Sequence, residues 1–301
     1  MRSRPGGLLI AALALLTAAP ARAFCRTTTC QPGDAAAPCS TDSNGCLVGG
    51  EPLFWAGACV SYSVQRDGSP LRGISAKDAE LAVGAGFSSW MGAACAGGAG
   101  PSIGVVSRGL VSCDRQEYSS NHGNANVWMF RDDDWPYDDT GATLALTTVT
   151  YNRRTGEIYD ADVEVNSHDN EITLGDGRIA FDFLSIATHE AGHFLGLSHN
   201  PRDPDATMTP GYFQGTVALR TLESDDVAGI CASYPPGRSA GRCDDTPRHG
   251  YSTVCAGDDE VEGCTACASA PGRAGQRPWP LAFAAATALG AALRRRRRAP
   301  R

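Results

Sequence analysis

The 301-residue sequence contains no internal repeat, and no second cysteine pair stands at zinc-ribbon spacing from Cys264-Thr-Ala-Cys267. It also lacks an apolar run of the about 20 residues that a membrane-spanning helix needs. These absences argue against a repeat array, a zinc ribbon and a bundle of membrane helices. Histidine is scarce as well, with six residues in all, and three of the six fall within residues 189–199. Residues 189–199 are therefore the first place to look for chemistry.

Acidic residues are absent from both ends of the chain. Residues 24–263 hold all 33 Asp and Glu but only 15 of the 26 Lys and Arg. A body with this acidic surplus repels nucleic acid and anionic membranes, which excludes both as partners of its surface. Carboxylates are also the ligands that calcium prefers, and calcium is common outside the cell, so the surplus is compatible with bound Ca²⁺.

The first 23 residues have the three parts of a secretory signal peptide: a basic start, an apolar run and the small-residue site Ala21-Arg22-Ala23. The apolar run, Leu8–Leu16, is too short to span a hydrocarbon core of about 30 Å. We therefore expect cleavage after Ala23 and export of the remainder. The twelve cysteines agree with export, because an even number in an exported chain indicates disulfides, whose pairing the spacing leaves open.

The hydrophobic pattern predicts an α+β domain that begins near Phe54. Strands are expected over 55–65, 102–107, 125–131, 143–151 and 160–166. The segment Arg153–Gly156 predicts a hairpin turn between the last two strands. Helices are expected over 75–91, 181–195 and 224–234, and Ser75 is placed to cap the first. Strands followed by helices favour the α+β class.

Composition divides the chain into five predicted segments. They are the signal peptide at 1–23, a Cys-rich N-terminal segment at 24–50, the main domain at 51–236, a Cys-rich linker at 237–275, and an apolar segment with an arginine cluster at 276–301.

The histidine-rich segment has the spacing of a metal site. His189 and His193 are four residues apart, so on a helix they project from one face and can share a metal ion. Glu190 lies beside the first histidine and can reach a water bound to that metal. Gly196 can take positive φ and end the helix, which turns the chain back and makes His199 a third ligand. Three protein ligands leave the fourth position of zinc open to water, as in a catalytic site.

These five residues resemble the long zinc motif of the metzincin metalloproteases, which a methionine turn follows. Met208 is the candidate for that methionine, which in the family lies beneath the metal as a hydrophobic floor. The segment LESDDVAGICASYP, residues 222–235, is similar to the last helix of the matrixins, the matrix-metalloproteinase family, and Pro210 also matches. The resemblance extends from Phe54 to Tyr234.

The resemblance implies a metzincin-type α+β fold, with a twisted, mostly parallel sheet, an active-site helix and a C-terminal helix. It implies a monomeric zinc endopeptidase that cuts proteins and peptides, with Glu190 as the general base. The implied ligands of its one zinc ion are His189, His193 and His199. The implied substrate-binding edge strand includes Leu144, Ala145 and Leu146. The alternative is a non-catalytic surface protein that keeps the domain for binding or adhesion, and the intact Glu190 argues against it.

The sequence also departs from the family. Animal matrixins carry a histidine-rich structural zinc site where this chain has Leu146 and Asp162, so we expect no second zinc. If a second zinc were bound, His122 and His168 would be the first candidates. The sequence contains no Pro-Arg-Cys-Gly cysteine switch, so any latency is expected to work differently. Asn200 stands where many matrixins have serine, which bears on the shape of the pocket.

Residues 264–301 combine the Cys264–Cys267 pair, an apolar run of about fifteen residues and five consecutive arginines. An arginine block halts translocation and stays cytoplasmic. The arrangement resembles the Cys–apolar–Arg sorting tags of myxobacterial surface proteins, which are processed near the cysteine. In that case the other ten cysteines are free to form five disulfides. The alternative is a plain short membrane anchor.

The sorting-tag interpretation predicts that the mature protein lacks Arg294–Arg298 and ends close to Cys264 or Cys267. The arginines hold the end of the chain in the cytoplasm, because moving each charge through hydrocarbon costs at least about 2.5 kcal/mol. A permanent anchor would need no cysteine pair before the apolar run. The measurement is the intact mass of protein from the native cell envelope, and a mass that still includes the arginines would identify a plain anchor.

Overall fold

The structure, a computed structural model, describes residues 24–138 and 143–258. The predicted signal peptide, the Cys264–Cys267 pair and the arginine-rich tail lie outside these residues. The described residues all belong to one compact unit of the chain. Within them, no helix combines the length and the apolar character needed to cross a membrane.

The five strands and three helices that the sequence predicts are present, with shifts of up to four residues at their ends, and the described residues contain six further two-residue strands that were not predicted. The strands are, in chain order, Cys25–Arg26 (β1), Ser40–Thr41 (β2), Leu47–Val48 (β3), Cys59–Gln65 (β4), Gly104–Val111 (β5), Val127–Phe130 (β6), Ala145–Tyr151 (β7), Ile158–Val165 (β8), Ile172–Thr173 (β9), Phe181–Asp182 (β10) and Leu197–Ser198 (β11). The α-helices are Ala76–Met91 (α1), Phe183–Phe194 (α2) and Ser224–Ser233 (α3). Short 3₁₀ turns lie at Ala96–Gly98 and Ala218–Arg220.

Five strands form the central sheet in the order β5-β4-β6-β8-β7. The first four run parallel, and β7 runs antiparallel to β8. The turn between β7 and β8 needs glycine, because Gly156 has φ of +74° and a Cβ there would lie 2.2 Å from the carbonyl oxygen of Pro52. The expected α+β class with a mostly parallel sheet is therefore confirmed. Strand β7 is an edge strand of this sheet.

The two long helices have side-chain caps at their N-termini. The hydroxyl of Ser75 accepts a hydrogen bond from the amide of Asp78 at 3.1 Å, as the sequence predicts. The carboxylate of Asp182 accepts one from the amide of Ser185 at 2.8 Å. Each cap satisfies an amide that the helix itself leaves unpaired, so the start of each helix is fixed.

Helices α1 and α2 lie close together over the buried face of the sheet. A Cβ at Gly86 of α1 would lie 3.0 Å from the carbonyl carbon of Ala187 in α2. The indole Nε1 of Trp90 donates to the carbonyl oxygen of Thr188 at 2.7 Å, and Trp90 is fully buried. The ring of Phe87 packs edge-on against Phe194. Helix α2 is thereby held rigidly against the core.

Ten cysteines form the five disulfides that the sequence expects of them. The pairs are Cys25–Cys46, Cys30–Cys39, Cys59–Cys243, Cys95–Cys231 and Cys113–Cys255. The first two tie residues 24–50 together, and the other three join segments that are more than a hundred residues apart in sequence. Closing loops of that length strongly restricts the unfolded chain, so these bonds contribute to stability.

Residues 237–258, which the sequence predicts to be linker, pack on the domain. The carbonyl oxygen of Asp245 accepts a hydrogen bond from the hydroxyl of Ser61 at 2.6 Å, and its carboxylate pairs with Arg108 at 2.9 Å. Asn124 and Tyr251 form a β-bridge. Together with two of the disulfides, these contacts hold the segment against the sheet.

The N-terminal segment also contacts the domain, near the histidine-rich loop. Strand β1 pairs antiparallel with β11, which directly precedes His199. The amide of Thr27 donates to the carbonyl oxygen of Gly196 at 3.1 Å. Farther along, the side-chain amide of Gln31 donates a hydrogen bond to the hydroxyl of Tyr151 at the end of β7. The segment therefore supports two parts of the chain that border the histidines.

Candidate metal centre

Helix α2 carries His189 and His193 one turn apart, with ring centroids 4.9 Å from each other. The helix ends at Phe194, and Gly196 follows with φ of +87°. A Cβ at Gly196 would lie 2.5 Å from the carbonyl oxygen of Leu53, so only glycine fits this turn. The turn expected from the sequence is present, and it sends the chain back toward the helix.

The returning chain brings His199 to the other two histidines. Its Nε2 atom lies 3.1 Å from Nε2 of His189 and 3.1 Å from Nε2 of His193. Nitrogens bound to one zinc ion at about 2.0–2.1 Å in a tetrahedral arrangement are a little over 3 Å apart. The three imidazoles therefore have the spacing of a common ligand set for zinc.

The remaining ring nitrogens explain why the Nε2 atoms are free to bind a metal. Nδ1 of His189 donates to the carbonyl oxygen of Thr207 at 2.6 Å, and Nδ1 of His193 donates to that of Leu197 at 3.0 Å. A carbonyl only accepts, so each ring keeps its proton on Nδ1 and an open lone pair on Nε2. Burial lowers the pKa of His189 and of His199 to about 4, and it lowers the pKa of His193 as well. All three rings are neutral at neutral pH, as metal ligands must be.

Met208, the methionine predicted for the turn, is buried. A Cβ at Gly192 would lie 2.2 Å from Sδ of Met208 and 2.7 Å from Cζ2 of Trp90. The glycine between Glu190 and His193 is therefore required by the close approach of Met208 to the helix.

Helix α3 fixes the methionine turn through acidic residues that the sequence analysis assigned no role. The carboxylate of Asp226 accepts hydrogen bonds from the amides of Thr207 at 2.7 Å and Met208 at 3.1 Å. The neighbouring Asp225 accepts one from the side-chain amide of Asn200 at 2.9 Å. Asn200, the residue directly after His199, is therefore linked to α3. In the sequence, the Asp225-Asp226 pair in the first turn of the predicted last helix was the signal that could have indicated this role.

Glu190 lies next to the three histidines and is 5% exposed. The hydroxyl of Thr147, on strand β7, donates to its Oε2 atom at 2.5 Å. Burial raises the pKa of Glu190, while the electrostatic interaction with His193 and the hydrogen bond from Thr147 oppose that rise. Thr147 was not among the predicted site residues, although it follows them directly in sequence.

A cavity of about 600 Å³ opens over the histidines and Glu190. Leu144, Ala145 and Leu146, the predicted substrate-binding residues, line it together with Thr147. Leu144 directly precedes β7, which begins at Ala145. The cavity therefore lies along the edge strand of the sheet.

We use the term apolar wall for four further residues of the cavity lining: Phe181, Ile186, Tyr212 and Leu219. The hydroxyl of Tyr212 donates to the carbonyl oxygen of Thr216 and accepts from the amide of Asp182. Arg220, next to Leu219, pairs with the fully buried carboxylate of Asp182 at 2.7 Å. An ion pair between Arg220 and the buried Asp182 at the start of α2 thus holds the loop that supplies Tyr212 and Leu219, half of the wall.

Leu146 and Asp162, which stand where the family carries a second zinc site, are engaged otherwise. Leu146 lines the cavity, and the carboxylate of Asp162 accepts hydrogen bonds from the amides of Val127 and Glu117. Of the two groups of ligand atoms that converge within the described residues, one is the histidine set. The other is Cys113, Glu117 and Cys255, whose cysteines are joined in a disulfide. His122 and His168 lie in loops and hydrogen-bond locally.

Comparison with known proteins agrees with this geometry. Residues 128–235 match the family model described as Matrixin. Matrix metalloproteinase-C of Caenorhabditis elegans is 34% identical over 110 residues, which are 35% of this chain and 18% of that protein. Matrilysin of Homo sapiens is 37% identical over 102 residues, 34% of this chain and 35% of that protein. Metalloendoproteinase 1-MMP of Arabidopsis thaliana is 33% identical over 119 residues, 40% of this chain and 29% of that protein.

The chain thus spans about a third or less of the length of these relatives. The matched region contains helix α2, the histidines, the methionine turn and α3. These similarities support a matrixin domain there.

We expect the substitution Gly192→Ala to lower the stability of the protein and its retention of zinc. Its methyl group would collide with Met208 and Trp90, and overpacking of this kind costs about 1–3 kcal/mol. Thermal unfolding with and without a chelator, together with zinc content after dialysis, measures the effect. Gly177→Ala is the matched control, because Gly177 is exposed and no atom lies within 4 Å of its added Cβ. Wild-type stability and zinc retention in Gly192→Ala would contradict the described packing.

Metal analysis of the purified protein is expected to return one zinc per chain, with or without calcium. The reason is that the histidine set is one group of three free ligands, whereas Asp162 already accepts two backbone amides. Substituting His199→Ala should abolish zinc retention, and His168→Ala should leave it unchanged. Two tightly held zinc ions per wild-type chain would overturn the expectation and direct attention to His122 and His168.

Proposed function

We propose that the protein is an exported, zinc-dependent endopeptidase of the matrixin type. The observation that carries the proposal is the convergence of three neutral imidazoles beside a buried glutamate, in a cavity that follows a sheet edge. Among zinc sites, three protein ligands with open space beside them are typical of catalysis, whereas structural sites use four. The residues that would hold the ion are His189, His193 and His199.

Among the residues that the structure describes, only β8 pairs with β7 in the sheet, so the outer edge of β7 is suited to bind an extended peptide. One edge of β7 pairs with β8, and Leu144, Ala145 and Leu146 border the cavity on the other side. An extended segment of a substrate can add to such an edge through main-chain hydrogen bonds, which bind any sequence. Protein substrates of varied sequence are therefore the partners that we propose.

The apolar wall gives the proposed site a preference for apolar substrate side chains. Its residues Phe181, Ile186, Tyr212 and Leu219 offer no charged group to a substrate side chain. Ile186 is on the same helix as Glu190, one turn earlier, so the wall lies next to the reacting position. We therefore propose that the substrate residue adjoining the scissile bond is apolar, because a buried charge would find no partner there.

Peptide hydrolysis in this site needs a base and an acid, and Glu190 is placed to act as both. A zinc ion held by His189, His193 and His199 would act as a Lewis acid, which would polarise the scissile carbonyl and make water easier to deprotonate. Glu190 takes the proton from the attacking water and passes it to the departing amine. Its burial favours this double role, because a raised pKa makes the carboxylate a stronger base.

The proposed location is the outside of the cell, either at its surface or after release. The five disulfides support it, because such bonds persist in oxidising compartments. The protein is proposed to act as a monomer, to touch a membrane only through its C-terminal tail and to have no nucleic-acid partner. Bound calcium is proposed as an accessory ion on account of the acidic surplus.

The substitution Glu190→Gln is expected to lower peptide hydrolysis by about 100-fold or more while zinc stays bound, because the general base is lost. Turnover of casein and of short peptides is measured with metal content determined on the same samples. Peptides with leucine after the scissile bond should be cut faster than peptides with aspartate there.

The control is Glu51→Gln, which changes an exposed carboxylate outside the helices and strands and should leave the rate unchanged. Near-normal turnover in zinc-loaded Glu190→Gln would rule out the mechanism. A zinc-loaded wild type that binds peptides without cutting them would favour the binding or adhesion alternative.

A further inference from the structure

The hydrogen bond between Thr147 and Glu190 joins the edge strand of the sheet to the active-site helix. We propose that Thr147 is a positioning residue, whose hydroxyl holds the Glu190 carboxylate in the orientation in which it accepts a proton from water. The inference rests on the proposed function. It assigns to strand β7 a second role besides pairing with a peptide main chain.

Both partners of this hydrogen bond are carried by rigid elements. Thr147 pairs with Val163 across the β7–β8 ladder, and Val163 is fully buried in the core. Glu190 is on helix α2, whose neighbours Ala187 and Ala191 are fully buried. The 2.5 Å contact between the hydroxyl and Oε2 is therefore set by the fold, not by the free rotation of two surface side chains. A contact made in this way is prearranged before substrate arrives.

The hydrogen bond from Thr147 restricts the rotation of the Glu190 side chain, whose carboxylate must be held in one orientation for proton transfer. A glutamate side chain rotates about three bonds, and freezing such a side chain costs about 1.5–2 kcal/mol. A hydrogen bond to a carboxylate is stronger than one between neutral groups, so it can select one orientation. With Oε2 held by Thr147, we assign the acceptance of the proton from water to the other oxygen, Oε1. The fold meets this ordering cost before the reaction begins.

The chemistry of a hydroxyl also suits both states of the glutamate. A threonine hydroxyl has one proton to donate and two lone pairs that accept. It donates to Oε2 of the carboxylate before the reaction, and it can go on donating to Oε2 after Oε1 has taken the proton from water, because Oε2 is then a carbonyl oxygen that still accepts. When that proton passes on to the departing amine, the first arrangement returns. Thr147 itself neither gains nor loses a proton in the cycle.

The variant Thr147→Val keeps the shape of the side chain and removes the hydroxyl. We expect its kcat to fall between about tenfold and a hundredfold, because misplacement of a reacting group has effects of that size. KM should stay within about twofold, since the main chain of β7 is unchanged. Thr147→Ser restores the hydroxyl and should recover most of the rate. Thr150→Val, on the same strand but the opposite face, is the matched control and should behave as wild type.

Two further measurements separate positioning from substrate contact. In the Glu190→Gln background, adding Thr147→Val should cause no further loss, because the hydroxyl would have lost the group through which it acts. A crystal structure of zinc-loaded Thr147→Val should show the Glu190 carboxylate turned away or in more than one orientation. Zinc content should equal that of the wild type.

The possible failures are distinguishable. A wild-type protein without hydrolytic activity refutes the proposed function, and the crystal structure then still decides whether Thr147 orients Glu190. An active wild type with unchanged kcat in Thr147→Val overturns the inference alone. So does a rise in KM at constant kcat, which would make Thr147 a substrate contact, or an undisturbed Glu190 orientation in the variant structure.

Discussion

The whole site depends on one backbone constraint, the reversal of the chain at Gly196. Two histidines on a helix can face one metal ion, but a third ligand must come from outside the helix. The left-handed conformation at Gly196 provides it, and the contact with the carbonyl oxygen of Leu53 leaves no room for a side chain. The carbonyl oxygen of Gly196 also accepts the amide of Thr27. The turn that delivers His199 is thus enclosed by the N-terminal segment, which two disulfides hold together.

A second layer of support comes from helix α3 at the other side of the centre. Asp226 accepts the amides of Thr207 and Met208, and the carbonyl oxygen of Thr207 in turn accepts the Nδ1 proton of His189. One buried carboxylate therefore fixes both the methionine turn and the tautomer of His189. Cys231 of α3 is bonded to Cys95, near the end of α1. The helix that orients the histidines is thus tied covalently to the core that carries them.

Local periodicity and a fixed spacing were sufficient to predict the α+β class, the three helices and the histidine motif, whereas the mostly parallel sheet was implied only by the family resemblance. The sequence was less informative where tertiary contacts decide. Strand β4 begins at Cys59 instead of Trp55, because the indole and amide of Trp55 bond to Phe194 and Tyr234. Thr147 escaped notice for a similar reason. A threonine is ordinary in a strand, and its target, Glu190, is 43 residues away in sequence.

The outer face of the sheet contributes to the site through a chain of contacts. Burial raises the pKa of Asp162 to about 7 and that of Asp160 well above its usual range. The unfolded carboxyls ionise near pH 4, so this face loses stability as the pH rises from there through about 7. The fold keeps Asp162 because it accepts two amides that would otherwise be buried and unpaired, each at a cost of about 1–3 kcal/mol. Those amides hold β6 and residue 117 against β8, and β8 sets the register of β7. A buried acid on one face of the sheet therefore helps to place Thr147 at the other.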